Sequence, residues 1–489
     1  SWPMYRHDHR RTNSTGAQVS GKLKNAWQLK IEGDLTPPVV ASGKAYLSAK
    51  DRNTVYAVDI KKGKILWEYS VGGKVDSPPT LYNGKVLFGS ADGWVYCLRS
   101  GDGKLVWRFR AAPSPRLMVN ENRVESPWRV HGSLLLHDGL VYCTAGRSSF
   151  LDGGIFLYAL NPNTGKVIHE TRLDTWMRTR KDAQNKPFLP AFHMEGARSD
   201  LLVSEGGYIY LGQMKFTPSL EKLNPPYRKG PDTYQTDRGS PDAYGPIVKG
   251  NSVSNNPSYD FVHKETIKKY PQFAQRWFRR GHMGAREVGE HLFATGGFLD
   301  DSYFNRIFWM YSDTWPGYYF SNAASKSGQL LVIGPEKTYG FKAFNERVVL
   351  SPQLIPGKGN YLLFADDNSN EPVLAEEDWG RDKGMGYSRS APPKWFDWVP
   401  VRIRAMVLAG DRLFMAGPPD VVDPEDPLAA FEGKKGCHLW SYRADNGKRK
   451  EKYHLEHLPV FDGMIAVKNK ILISTEDGSL ICLEGEAEE

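Results

Sequence analysis

Cysteine is scarce in this chain, with four residues in 489. That excludes a disulfide-dense scaffold. No two cysteines are adjacent, and none falls in a CxxC or Cys/His metal spacing, so a structural zinc site is not expected. Long apolar runs are missing too: none reaches the roughly eighteen residues that a membrane-crossing helix needs. There is no GxSxG elbow and no HExxH helix. Gly380, Gly384 and Gly386 do not follow a strand in GxGxxG order, so nucleotide binding has no support. Nor do the scattered lysines and aromatics make a nucleic-acid motif. Neither charge sign dominates: 64 Lys and Arg against 56 Asp and Glu leave a net +8, spread along the chain. Such a balance favours an anionic partner only mildly.

What is present suits short strands. Apolar residues make up 40% of the chain, enough for a sizeable core, and 48 Gly, 32 Pro and 12% aromatics favour strands joined by turns over long helices. The opening Ser1-Trp-Pro-Met-Tyr-Arg-His-Asp-His-Arg10 has no apolar stretch after its basic residues, so it is not a signal peptide. Residues 1–24 read as the lead-in of a mature chain.

From residue 25 a repeat emerges. Val55-Tyr-Ala-Val-Asp-Ile-Lys-Lys-Gly-Lys-Ile-Leu-Trp67 is followed by Val95-Tyr-Cys-Leu-Arg-Ser-Gly-Asp-Gly-Lys-Leu-Val-Trp107, and Leu157–His169 and Leu439–Lys448 are further copies. Each is an apolar strand, a polar turn ending in Gly-Lys and, in the full copies, a second apolar strand. Gly63, Gly103, Gly165 and Gly447 can supply the positive φ of a tight turn. Trp67 and Trp107 stand 40 positions apart, a spacing suited to a propeller blade. Their expected role is packing between blades. Cys97 and Cys482 occupy a slot that Ala57, Ala159 and Ser441 fill elsewhere, which points to tight packing.

A second hairpin signal precedes each copy. Ser42-Gly43, Asn83-Gly84, Asp138-Gly139, Gly206-Gly207, Glu290–Phe293, Ser327–Val332, Gly410–Phe414 and Lys468–Ile473 make eight. An all-β fold is expected: an eight-bladed β-propeller of four-stranded antiparallel blades, with seven blades as the alternative. Asn25-Ala-Trp-Gln-Leu-Lys30 reads as the outer strand that the last unit lacks, so it should complete that blade and cover its edge. Residues 25–489 are then one propeller with large insertions at about 217–281 and 366–400. The first insertion includes a short helix expected over 266–280.

The repeat resembles that of pyrroloquinoline-quinone-like (PQQ-like) propellers, and Trp2-Pro-Met-Tyr-Arg-His-Asp8 resembles the lead-in of their exported members. The match is good over 25–170 and 405–486. The family includes quinoprotein alcohol dehydrogenases and a non-enzymatic lipoprotein of outer-membrane assembly, so the resemblance implies architecture more than activity. It implies a periplasmic or secreted location. Quinoprotein dehydrogenases of this family have a vicinal disulfide beside the quinone and acidic calcium ligands. This chain has no adjacent cysteines, so it reads as a non-classical member and PQQ is not the expected cofactor.

The expected site lies at the entrances of the innermost strands, which surround a propeller's central channel. Trp128, Arg129 and His131 open the third unit, His193 and Arg198 the fourth, His282 and Arg286 the fifth, and Arg402 and Arg404 the seventh. Arg suits carboxylate or phosphate through paired hydrogen bonds, and His titrates near neutrality. The first reading is a binding propeller for an anionic small molecule or acidic saccharide, with Trp128, Trp395 and Trp398 as stacking surfaces. Its alternative is a polysaccharide lyase on uronic-acid glycans, with His193, His282, Arg198 and Arg286 as the catalytic candidates. A third reading is a protein-assembly scaffold that meets partners through its insertions, where carboxylates such as Asp200 pair off the cations. Asp366, Asn368, Asn370 and Glu377 have part of a calcium-loop spacing, but Glu371 stands where an EF-hand needs Gly.

Overall fold

The computed structural model describes residues 1–174, 197–223, 287–302, 307–314, 324–343, 361–374 and 387–486, with short strand segments at 180–181, 187–188, 236–240 and 245–248 and residue 357. The described residues contain no helix, and the fold is the expected all-β eight-bladed propeller. The segment expected to be helical at 266–280 lies outside them. The chain divides into two compact units, one of Ser1–Ser204, Pro218–Glu221 and Ile403–Glu489, the other of Glu205–Thr217 and Lys222–Arg402.

The first unit holds the regular blades. Blade 1 is Val39–Ala41, Lys44–Ala49, Thr54–Asp59 and Lys64–Ser70; blade 2 is Thr80–Tyr82, Lys85–Gly89, Trp94–Arg99 and Leu105–Arg110. Blade 3 runs from Leu135–His137 to Val167–Leu173, and blade 7 from Ala405–Ala409 to Arg449–Leu455. In blade 8, Pro459–Val467, Lys470–Thr475 and Ser479–Gly485 are completed by Leu23–Lys30, which pairs antiparallel with Ser479–Gly485. The outer strand of the last blade thus comes from the start of the chain, as its sequence indicated, and covers an edge that would otherwise expose unpaired backbone.

Local chemistry explains the turns. Between the first and second strands, Ser42 and Gly43, Asn83 and Gly84, and Asp138 and Gly139 all have positive φ. Those dihedrals match the twist of the strands they join, and Gly and Asn carry them at least cost. The middle strands alternate between two covered faces, so Val55, Ala57, Val95, Cys97, Leu157 and Ala159 are all buried. Each fully buried aliphatic side chain contributes about 1.5–3 kcal/mol of transfer free energy.

The tryptophans join neighbouring blades. Trp27, Trp67 and Trp107 donate Nε1–H to the carbonyls of Ile60, Ser100 and Pro162, each in the next blade, at 2.9, 3.1 and 3.2 Å. Each ring covers the turn glycine of that blade: a Cβ on Gly63, Gly103 or Gly165 would lie 2.6, 2.8 or 2.6 Å from the ring. These glycines therefore serve twice, for a φ near +70° and for close approach of an indole. Opposite Trp27, Trp67 and Trp107 in the register sit Cys482, Ala57 and Cys97, the small-residue slot. All four cysteines are free and buried, and burial pushes the Cys97 thiol up to about 12.

The second unit holds a three-stranded sheet, Glu287–Ala294, Trp309–Thr314 and Ser327–Gly328, and a four-stranded one, Leu330–Ile333, Lys337–Lys342, Tyr361–Asp367 and Trp395–Val399. It also holds most of blade 4, which begins at Val203–Glu205 where the chain leaves the first unit. The stretch expected as an insertion at 366–400 is narrower here. Trp395–Val399 is a blade strand paired with Tyr361–Asp367, and a hairpin of Pro372–Leu374 and Tyr387–Arg389 precedes it. Pro392 and Pro393 sit just ahead of this outermost strand, where a missing backbone donor costs little.

Candidate functional site

The opening segment is the least repetitive part of the first unit. Trp2 bridges Val40 of blade 1, the Pro3 carbonyl accepts from Leu81 of blade 2, and the His9 carbonyl accepts from Ser204 of blade 4. The His9 ring lies 5.4 Å from His137 of blade 3, and Ser14–Thr15 pair in parallel with Leu408 and Ala409 of blade 7. Arg6 meets Asp462 of blade 8 at 2.6 Å, both side chains fully buried. Residues 1–15 therefore cross the first strands of six blades. The sequence marked this stretch only as a lead-in, because none of these partners is near it in the chain.

Beside this segment, the entrances to blades 2 and 3 build a polar cluster. His131 Nδ1 and Asp76 Oδ2 are 2.7 Å apart, and Asp76 Oδ1 accepts from Gly132 N at 2.9 Å and Ser77 Oγ at 2.9 Å. Ser77 Oγ in turn accepts from Ser133 N at 2.8 Å. Arg11 Nη1 donates to Ser133 Oγ at 3.2 Å and to Tyr5 O at 3.0 Å, while its Nε donates to Leu202 O. Burial alone would push the His131 imidazole down, but the Asp76 carboxylate more than offsets it and the net shift is upward. Burial would raise Asp76, yet His131, the Gly132 amide and Arg129 together hold it well below the carboxylate range. Burial pulls Arg11 down to about 10, still charged near neutral pH.

Among the described residues, three donors in this cluster have no protein acceptor: His131 Nε2, Arg129 Nε and Arg11 Nη2. Since Asp76 holds His131 by Nδ1, Nε2 is the nitrogen left to act, and in the imidazolium it is a donor. Asp200 acts electrostatically on both His131 and Arg11. Asp8 also acts on Arg11, ahead of Asp200, so His131, Arg129 and Arg11 are matched in charge by Asp76, Asp200 and Asp8, and what stays open is the hydrogen bonding of the donors. Such an arrangement can hold an anion through charge-assisted hydrogen bonds.

The remaining candidates divide. Trp128 is buried, donates to Asp152 O at 2.9 Å and carries the Arg116 guanidinium 4.9 Å over its ring, so its faces are already engaged. Asp152 also takes Arg147 at 2.7 Å. Arg404 pairs with Glu476 at 2.6 Å and donates to Pro459 O. Arg402 is half-buried ahead of Ala405–Ala409, and Arg198 is exposed, bridging Ser148 through its backbone. In the second unit, Trp395 is buried with its ring 5.9 Å from Tyr339, and Trp398 is exposed, both on an outermost blade strand. His193, His282, Arg286 and Glu377 lie outside the described residues.

The weak calcium spacing carries other bonds. Asp366 accepts from Arg389 Nε at 2.8 Å and from the Lys326 amide at 2.9 Å. Asn368 accepts from Thr338 Oγ1, and Asn370 from Ser390 Oγ and Ala391 N. Lys342, buried near Arg389 and Asp366, is pulled well below the usual lysine range by burial first and Arg389 second. A carboxylate already facing a guanidinium is a poor cation ligand.

Asp76, Ser77, Ser133 and Arg11 were missed as site residues. A signal existed for two of them: Ser77-Pro-Pro-Thr80 repeats Thr36-Pro-Pro-Val39 at the same blade entrance, and Asp76 replaces Leu35 there. A carboxylate that appears in only one copy of a repeat position marks a departure from packing.

The model of the outer membrane protein assembly factor BamB family matches residues 13–189. The dehydrogenase subunit of the quinone alcohol dehydrogenase from Gluconacetobacter polyoxogenes is 32% identical over 161 residues, 30% of this chain and 21% of that relative. The outer membrane protein assembly factor BamB of Burkholderia pseudomallei is 33% identical over 159 residues, 32% of this chain and 35% of its own. The matches therefore span only a minor part of either relative. The quinohemoprotein alcohol dehydrogenase of Comamonas testosteroni aligns with 100% of this chain and 81% of its own at a TM-score of 0.50 and 13% identity, which shows a shared fold. The described residues do not fit a quinone with its calcium: the four cysteines sit in separate strands, and Asp76, Asp462 and Asp366 each face a cationic side chain. Repeat, blade architecture and sequence relatives together make this chain a member of the PQQ-like β-propeller repeat family.

Proposed function

We propose that this chain is a binding propeller for an anionic, carboxylate-bearing ligand, with His131 and Arg129 as its principal donors. One observation carries the reading: two buried donors, His131 Nε2 and Arg129 Nε, lack an acceptor among the described residues while Asp76 fixes the imidazole from its other side. Buried donors are nearly always satisfied, and leaving one unpaired costs about 1–3 kcal/mol. A carboxylate would satisfy both. Acidic saccharides are the class to test first, bound by their carboxylate and not by indole stacking, since Trp128 is already covered. The upward shift of His131 supports a donor and argues against a general base near neutral pH, so binding is favoured over lyase chemistry. A periplasmic or secreted setting accords with this reading and with the name of the BamB relatives, outer membrane protein assembly factor.

The test is a calorimetric titration with digalacturonate, with neutral disaccharide and sulfate as controls, alongside ultraviolet detection of any unsaturated product. Saturable binding without product, weakened about tenfold or more in Arg129→Gln and His131→Gln, is expected. Product formation lost in the same variants would move the chain to the lyase class. No binding of any anion would sink the site, and a scaffold reading would then stand.

A further inference from the structure

We infer that Arg11, carried by the opening segment, is the third donor of this anion site, so that anion binding and docking of residues 1–15 form one linked equilibrium. The inference rests on the anion reading and adds its regulation. Arg11 is fully buried, yet among the described residues its side chain donates only to neutral acceptors, Leu202 O, Tyr5 O and Ser133 Oγ. Its Nη2 has no acceptor among the described residues. A guanidinium taken from water without a directly bonded carboxylate is costly, and a bound anion is the partner it lacks. Position supports this. Arg11 reaches Ser133, Ser133 reaches Ser77, Ser77 reaches Asp76, and Asp76 holds His131, in steps of 3.2, 2.8, 2.9 and 2.7 Å.

The segment is also anchored on both sides of the Arg11 side chain, and Arg6 Nε donates to Arg11 O at 2.8 Å. Arg6 and Asp462 form their buried pair, Asn13 Nδ2 donates to Met406 O at 2.5 Å, and Ser14–Thr15 extend blade 7. These hold the chain on both sides of Arg11, so a guanidinium at that position is delivered only when the segment is docked. A ligand that binds the docked form alone must stabilise it, and loosening the segment must weaken the ligand by the fraction undocked.

Amide hydrogen exchange of the wild-type chain, with and without digalacturonate or sulfate, tests the linkage directly. Added anion should slow exchange at residues 1–15 severalfold, and the slowing should vanish in Arg129→Gln. Arg11→Met should lose about tenfold or more in affinity, with Arg11→Lys recovering only part because it lacks the planar fork. If Arg11→Met fails to fold, the wild-type exchange measurement still decides. An anion that binds wild type without changing exchange at 1–15, and binds Arg11→Met equally well, would overturn the linkage while leaving the site intact. Failure of wild type to bind any anion would remove both.

Discussion

Two parts of the first unit solve burial in opposite ways. On the outer strands, Trp27, Trp67 and Trp107 repeat one device: an indole covers the next blade's turn glycine and spends its single donor on a carbonyl. At the innermost strands the charged contacts differ from blade to blade. There the opening segment brings charged groups inside, and the two resulting networks differ. Arg6 and Asp462 close on each other with Asn13 and the nearby backbone. His131, Arg129 and Arg11 keep donors without acceptors among the described residues. A closed buried pair is what a structural role requires, whereas surplus donors mark where a ligand's acceptors belong.

Breaking the closed pair should have the largest effect. Arg6→Leu leaves Asp462 buried without its guanidinium, and a loss of about 3–5 kcal/mol is expected, measurable by denaturant unfolding. A drop under about 1 kcal/mol would mean that water reaches Asp462 and that the two networks are alike. On the outer strands, Gly103→Ala forces a methyl to within 2.8 Å of the Trp67 ring at a φ of +72°. Both strains oppose it, and a cost of about 1–3 kcal/mol is expected, read from thermal unfolding.

The open cluster should respond to pH with a definite sign. His131 is raised in the folded chain, so its pair with Asp76 contributes fully below the ordinary imidazole pKa of about 6.5 and loses that contribution as pH rises through the raised value. Anion affinity should fall across the same window as Nε2 loses its proton. In Asp76→Asn the imidazole titration followed by NMR should move downward. A midpoint unchanged by that substitution would remove Asp76 as the cause of the shift. The smallest effect belongs to Cys97→Ala: Ala57 and Ala159 fill the equivalent slot opposite the outer strand, so stability should stay within about 1 kcal/mol.

These contrasts follow how legible each part is in sequence. The outer-strand device recurs, so the Gly-Lys turns at Gly63 and Gly103, 40 residues apart, and the tryptophans that end those two copies expose it, as does Trp27 in the strand that closes the last blade. The cationic entrances were legible only in outline. Arg129 and His131 do precede an inner strand, and Arg404 does too, but the latter is matched by Glu476. Trp395 looked like a loop aromatic because prolines flank it, yet register with Ala365 makes it part of a blade. Asp76 hid within an otherwise ordinary Ser-Pro-Pro entrance.

Strand periodicity, turn glycines and the small slot facing each tryptophan are local properties, set by side-chain size and backbone dihedrals over a few residues. From them the sequence alone determined an all-β wheel and its closure, and gave eight blades with seven as the alternative. Only the tertiary structure decided that residues 1–15 cross the first strands of six blades, that Arg6 meets a carboxylate 456 positions away, and that Arg11 comes to lie beside Ser133. Those contacts depend on chain closure over the whole length, and an ion pair or a shared hydroxyl leaves no periodic trace in the residues between its partners.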